Sequence, residues 1–241
     1  MDLSQVAIVL LIACIGSLIQ NSCGFGYGIF SVAVLPFVLP YQQAVALSTM
    51  SAGIMSAIVA VRNRGKLRLD VLWPCTLASS IIVVIAITFS VGQSNVVLTR
   101  ALGVLLILLS LYFFLFSDKI RIKPTIANGL IFGIISGAGA GFFGIGGPPV
   151  VIFLLSALDS KDEYRSTISV QFICNAIIGT TVRLVNGIIT PQLLQITVLS
   201  VIPLLFGIWV GGHIFMLMSE KTLRRVVYVF MAASGSVMLF G

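Results

Sequence analysis

The sequence predicts an all-α integral membrane protein built from two inverted five-segment repeats, each with one short, glycine-interrupted broken helix. Three observations point there. Of the 241 residues, 59% are hydrophobic and only 9% charged, whereas a soluble domain uses roughly 25% charged residues to cover its surface. Apolar runs of bilayer-crossing length, ~17–25 residues, follow one another with no polar domain between them. Two glycine clusters, "CGFGYG" at 23–28 and "GFFGIGG" at 141–147, stand at corresponding places in the two halves.

Ten apolar segments can be drawn, at about 3–22, 28–40, 43–62, 71–92, 96–117, 125–143, 148–158, 163–184, 192–214 and 221–240. The first has no positive n-region and no small-residue cleavage site, so it reads as a retained span rather than a signal peptide. The second and seventh are too short for an ordinary span at ~1.5 Å per residue, and each follows a glycine cluster. The remaining segments have span length. A single membrane domain, 1–241, accounts for the chain, with repeat 1 at 1–123 and repeat 2 at 124–241.

The repeat shows when the halves are laid over each other at offsets of 118 to 125. Gly26 and Gly28 fall on Gly144 and Gly146, "QQAVALSTMS" falls on "DEYRSTISVQ", and "LTRALGVLL" on "LRRVVYVFM". If all ten segments cross and 62–68 is cytoplasmic, 12 of the 14 basic residues lie inside, leaving Arg100 and Arg183 outside. If both short segments re-enter instead, eight spans remain and the split is 8 against 6. The positive-inside rule prefers the first arrangement, and five crossings per repeat invert the second half. The net charge of +7 thus belongs to loops facing the cytoplasm, not to nucleic-acid binding.

Several chemistries find no support. His213 is the only histidine, and Cys14, Cys23, Cys75 and Cys174 sit in apolar surroundings without metal-ligand spacing. The seven carboxylates map to loops or span ends, so no embedded proton relay is visible. No nucleophile–base pair suggests an enzyme. No catalytic set, metal or cofactor is expected. The expected partners are the lipid bilayer and a small anion, with a homodimer as one admissible assembly.

Inverted repeats with a short broken segment at matching places point to a transporter binding site. Non-helical backbone at membrane depth is tolerated where protein buries it or where it lines a cavity. Pro148 and Pro149 suit a first helical turn. The glycines before them, Gly144, Gly146 and Gly147, with Gly26 and Gly28 in the first half, let free N–H groups approach a ligand. A helix N-terminus favours an anion. In contrast, Gly129, Gly133, Gly137 and Gly141 recur every four residues, as a helix-packing stripe does.

These residues resemble the TauE/SafE sulfite-exporter family. The resemblance is carried by "GAGAGFFGIGGPPVVIFLL" and the weaker "NSCGFGYGIFSVAVLPFVL", with "AVALSTMSA" and "YRSTISVQF" after them. It runs over the whole chain, departing where Tyr27, Ile29 and Phe30 stand in place of a denser glycine run. It implies a membrane transporter, an exporter by the family's association, for sulfite, a sulfonate or a related sulfur-containing anion. An anion channel of the same fold is the alternative.

Further site candidates lie on the eighth segment, where Thr167, Gln171, Asn175, Gly179 and Arg183 are four residues apart. Gln171 and Asn175 offer amide donors, either to an anion or to a neighbouring helix. Ser51 is the first-half match of Gln171, and Gln20 and Asn21 precede the first glycine cluster. Arg183 either snorkels to the outer interface or attracts an anion there.

Overall fold

The computed structural model describes residues 3–23, 26–62, 67–116, 122–158, 160–214 and 220–240. The side chains of His213, of Cys23 and of the basic residues at 62–66, 119–121, 161 and 221–225 lie outside the described residues. The helices are α1 (Leu3–Cys23), α2 (Tyr27–Val34, extended by a 3-10 turn Leu35–Phe37), α3 (Tyr41–Arg62), α4 (Leu69–Val91) and α5 (Asn95–Phe116). They continue with α6 (Ile126–Phe143), α7 (Gly147–Ala157), α8 (Lys161–Val185), α9 (Pro191–Ile214) and α10 (Glu220–Phe240). Among the described residues, 7 helices are long and apolar enough to cross a bilayer. Side chains such as Ile202, Phe206 and Trp209 point outward and exposed, where lipid replaces water. The chain is an all-α, multi-pass membrane protein.

The two short helices fall below the length of an ordinary span. With 11 residues, α7 is about 16 Å long, half the ~30 Å hydrocarbon core. It turns back along α6: Ser136 Oγ donates to the Gly146 carbonyl at 2.7 Å, and the rings of Phe132 and Phe153 stack with centroids 6.1 Å apart. In the first half α2 returns along α1, with Gln5 Nε2 donating to the Val38 carbonyl at 3.3 Å. Each short segment is one arm of a hairpin with the long helix before it.

These hairpins decide which ends lie together. The Arg68 N–H donates to Thr167 Oγ1 at 3.3 Å, and Arg68 Nη1 lies 3.9 Å from Glu163. The α3–α4 connection and the start of α8 therefore share one end of the bundle. The ten-segment arrangement requires this, whereas the eight-span alternative puts them on opposite sides. At the other end the starts of α1, α3 and α9 gather around Val9, Leu39, Ala44, Ile189 and Leu193.

Four pairings dominate the packing: α4 on α6, α1 on α9, α5 on α10 and α3 on α8. The α4–α6 seam uses the four-residue glycine stripe. A Cβ on Gly133 would meet the Cys75 carbonyl oxygen at 2.5 Å, and one on Gly137 would meet that of Ser79 at 2.6 Å. At the α5–α10 crossing Gly103 and Gly235 each bring the position of an absent Cβ to 2.7 Å from the other's carbonyl oxygen. Close backbone approach between small residues is the main source of helix association where lipid removes the hydrophobic drive.

Overpacking at such a contact costs about 1–3 kcal/mol. Gly133→Ala is expected to lower the thermal unfolding midpoint in detergent by several degrees. Gly92→Ala, where a Cβ meets nothing within 4 Å, should leave it unchanged. Equal midpoints for the two variants would remove the glycine stripe from the account of packing.

Candidate functional site

The break after α6 is a left-handed turn. Gly144 has φ +70°, a conformation costing an L side chain about 1–2 kcal/mol. Its N–H donates to the Ala140 carbonyl at 3.1 Å, and the Ile145 N–H reaches back to Gly139 at 2.9 Å. Gly146 then caps α7, whose first turn contains Pro148 and Pro149. In the first half Gly26, at φ +121°, caps α2, and the Phe30 N–H is bonded to Gly26 at 2.9 Å. The two turns meet backbone to backbone. A Cβ on Gly28 would lie 2.8 Å from the Gly144 carbonyl oxygen.

Beside this contact is a cavity of about 70 Å³, with room for about five water-sized groups. Its walls come from the two breaks (Gly26, Gly28, Ile29; Gly144, Ile145, Gly146, Gly147, Pro148) and from Gln20 and Ala140. Thr49 and Ala52 of α3, with Phe172, Asn175 and Ala176 of α8, close it at mid-length of those helices. Among the described residues, no ionisable side chain lines it. The first-turn amides of α2 belong to Tyr27, Gly28 and Ile29. Prolines supply no N–H, so the start of α7 offers those of Gly146 and Gly147.

Asn175 is the polar side chain that matters most on the α8 wall. It is 7% exposed, its Oδ1 accepts from Ser79 Oγ at 2.7 Å, and its Nδ2 has no partner. A buried donor left unpaired costs about 1–3 kcal/mol, and the residue that carries it is one of those lining the cavity.

Seven of the eleven residues expected at the site line this cavity: Gln20, Gly26, Gly28, Gly144, Gly146, Gly147 and Asn175. Four lie elsewhere. Asn21 donates to the Ile208 carbonyl at 3.1 Å and ties α1 to α9. Ser51 is buried in α3 away from the lining. Gln171 accepts from Thr76 of α4 and is not in the wall, although its Nε2 is unpartnered.

Arg183 is the fourth, and its placement at the outer interface is overturned. It is 1% exposed. Its Nη2 donates to the Gly141 carbonyl at 2.8 Å and its Nη1 to Gly179 at 3.3 Å. The side chain turns inward because α6 ends there, presenting carbonyls with no intrahelical donor. Tyr41 serves the same end, its hydroxyl donating to Phe142 at 2.8 Å.

The family model "Sulfite exporter TauE/SafE" matches residues 8–238. The chain belongs to the TauE/SafE sulfite exporter family. No curated protein and no solved structure matches it. For a TauE/SafE protein, a family of membrane transporters, the cavity between the two broken helices is the candidate site.

Sequence reasoning missed Thr49, Ala52, Phe172 and Ala176. Thr49 and Ala52 correspond to Phe172 and Asn175 at an offset of 123, not the 120 that paired Ser51 with Gln171. That offset within "AVALSTMSA" and "YRSTISVQF" was the signal available.

The contact of Gly28 with Gly144 gives a direct test of the two breaks as one unit. Gly28→Ala forces backbone apart where no flexible side chain can yield, at about 1–3 kcal/mol. Membrane insertion should survive while transport in proteoliposomes falls well below wild type. Wild-type transport by this variant would separate the contact from activity.

Proposed function

We propose that this protein is a secondary carrier for a small sulfur-containing oxyanion such as sulfite or a short organosulfonate, exported by alternating access at the cavity. The observation that carries the reading is the meeting of two helix N-termini at one cavity whose described lining includes Asn175, with its unpartnered amide, and no ionisable side chain. Helix N-termini present partial positive charge and free N–H groups, and the amide adds a neutral donor. Donors of this kind suit a ligand rich in acceptor oxygens. The cavity volume suits an anion of few heavy atoms.

We also propose that the halves are inverted repeats. Exchanging them maps α4 on α6 to α9 on α1 and leaves α5 on α10 and α3 on α8 paired as before. Single contacts support the same exchange. At an offset of 125, the touching pair Gly103 and Gly235 maps to Tyr228 and Ser110, and Ser110 Oγ donates to the Tyr228 carbonyl at 2.7 Å. Two arrangements of near-equal energy, open to opposite sides, are what such symmetry supplies to a carrier.

Uptake of labelled sulfite, sulfoacetate, taurine, thiosulfate and sulfate into proteoliposomes tests the substrate class. Counterflow of preloaded anion is expected for a carrier, and its absence during rapid flux is the result a channel would give. Two variants test the site. Asn175→Leu should raise the half-saturating concentration roughly 5- to 150-fold, the equivalent of ~1–3 kcal/mol. Ser79→Ala removes only the interhelical bond and should leave affinity near wild type while lowering the melting midpoint. Equal effects on affinity would make the Ser79–Asn175 bond structural and take Asn175 out of the site.

A further inference from the structure

Arg183 is a buried cation with no counter-ion among the described residues. Among the described residues the ion pairs are those of Arg68 with Asp70 and Glu163, and neither reaches Arg183. Its hydrogen-bond partners are neutral carbonyls, and its Nε–H has none. Burying an unpaired charge costs far more than neutral hydrogen bonds return. Capping α6 does not require that charge, because a neutral hydroxyl, that of Tyr41, satisfies the next carbonyl along. The negative end of the α6 dipole offsets only part of it. The surplus needs another explanation.

The guanidinium stands directly behind the cavity wall. Its Nη2 is 3.5 Å from the carbonyl oxygen of Ala140, a lining residue. Its Nη1 and the Cγ2 of Thr49, another lining residue, lie 3.0 Å and 3.4 Å from the point that a Cβ on Gly179 would occupy. A single layer of protein separates the charge from the cavity.

We propose that Arg183 is the buried counter-charge of the transported anion, acting across the Ala140–Gly141 backbone and Thr49 without touching the ligand. This rests on the reading of the cavity as an anion site. The field of a fixed cation compensates a dry anion, and the occupied cavity in turn supplies the negative charge that Arg183 lacks. Because the guanidinium is tied to α6, next to the Gly144 turn, it stays beside the cavity instead of moving out with the substrate. At an effective dielectric of about 20, a unit charge one protein layer away changes the binding of a monoanion by roughly ten- to a hundredfold.

Ligand charge separates this role from a purely structural one. Binding of sulfite, a dianion in alkaline buffer, is compared with that of the monoanion methanesulfonate on purified protein, for wild type, Arg183→Met, Arg183→Lys and Tyr41→Phe. Arg183→Met should weaken methanesulfonate roughly tenfold or more and sulfite by about the square of that factor. Arg183→Lys should recover most of both, and Tyr41→Phe, which loses a cap but no charge, should lower the melting midpoint and leave the ratio of affinities unchanged.

Ile87→Glu is the second variant if Arg183→Met fails to fold. The Ile87 Cδ1 lies 3.8 Å from the same Gly179 point, so a carboxylate there pairs with Arg183 and should reproduce the charge-dependent loss. Equal losses for monoanion and dianion in whichever variant folds, or unchanged binding of both, would overturn the proposal. If wild type binds neither anion and transports none of the panel, the reading of the cavity itself fails, a distinct result.

Discussion

The last turn of α6 ends inside the protein at membrane depth, where no bulk water can satisfy its carbonyl groups. An unpaired amide group in such surroundings costs roughly 2–7 kcal/mol, so the termination of this helix constrains all that surrounds it. Its carbonyls from Gly139 to Phe142 are all occupied. Gly139 accepts from Ile145, Ala140 from Gly144, Gly141 from Arg183 and Phe142 from Tyr41. The first two bonds require a left-handed residue at 144, and the other two require side chains from α8 and α3. Three separate stretches of sequence are thereby committed to one helix end.

The site's character follows from that arrangement. Once the chain reverses at Gly144, α7 must run back along α6, and its start is delivered next to the start of α2. The two starts can touch only because Gly28 has no side chain. A wall made of backbone then replaces a wall made of side chains. Helix starts carry donors and partial positive charge, and these stand at a cavity whose described lining holds no ionisable side chain. The same bareness keeps it small, since α3 and α8 also approach closely, with a Cβ on Gly53 falling 2.5 Å from Ala176 Cβ.

Much of this was legible in the sequence because membranes impose few, strong rules. All ten helices lie within a few residues of the apolar segments, and the glycine clusters mark both breaks. Composition and glycine spacing are local signals, and they carried. The antiparallel return of the short helices was legible through the charge distribution, but their contacts with α1 and α6 were not, because the residues that meet there, such as Ser136 with Gly146, form no local pattern. Arg183 was misplaced because span-end arginines are ordinarily free to reach water. Its partners on α6, the carbonyls of Gly141 and Ala140, are about 40 residues away in sequence and offer no side-chain pattern to read. Adjacent members of the α8 polar stripe share a face, but a four-residue spacing drifts by ~40° per step, so its ends do not. Thr167 and Gln171 therefore meet the Arg68 N–H and Thr76, Asn175 meets Ser79 and the cavity, and Arg183 meets α6.

The same partners bear on what can move. Although α4 belongs to the first half in sequence, it packs most extensively on α6 and α8 of the second, tied by the Thr76–Gln171 and Ser79–Asn175 bonds. Correspondingly, α9 of the second half is held by α1 and α3 of the first. Sliding one sequence half against the other would tear the glycine-packed α4–α6 and α1–α9 seams, where backbones already touch. The bodies that can rock without that loss are mixed: α4 with α6, α7 and α8, and α9 with α1, α2 and α3. Their shared boundary is the α3–α8 crossing and the contact of Gly28 with Gly144, which are also walls of the cavity. A rocking motion of these mixed bodies would thus have its pivot at the ligand, and the exposure of the cavity to either end would change while its lining stayed together.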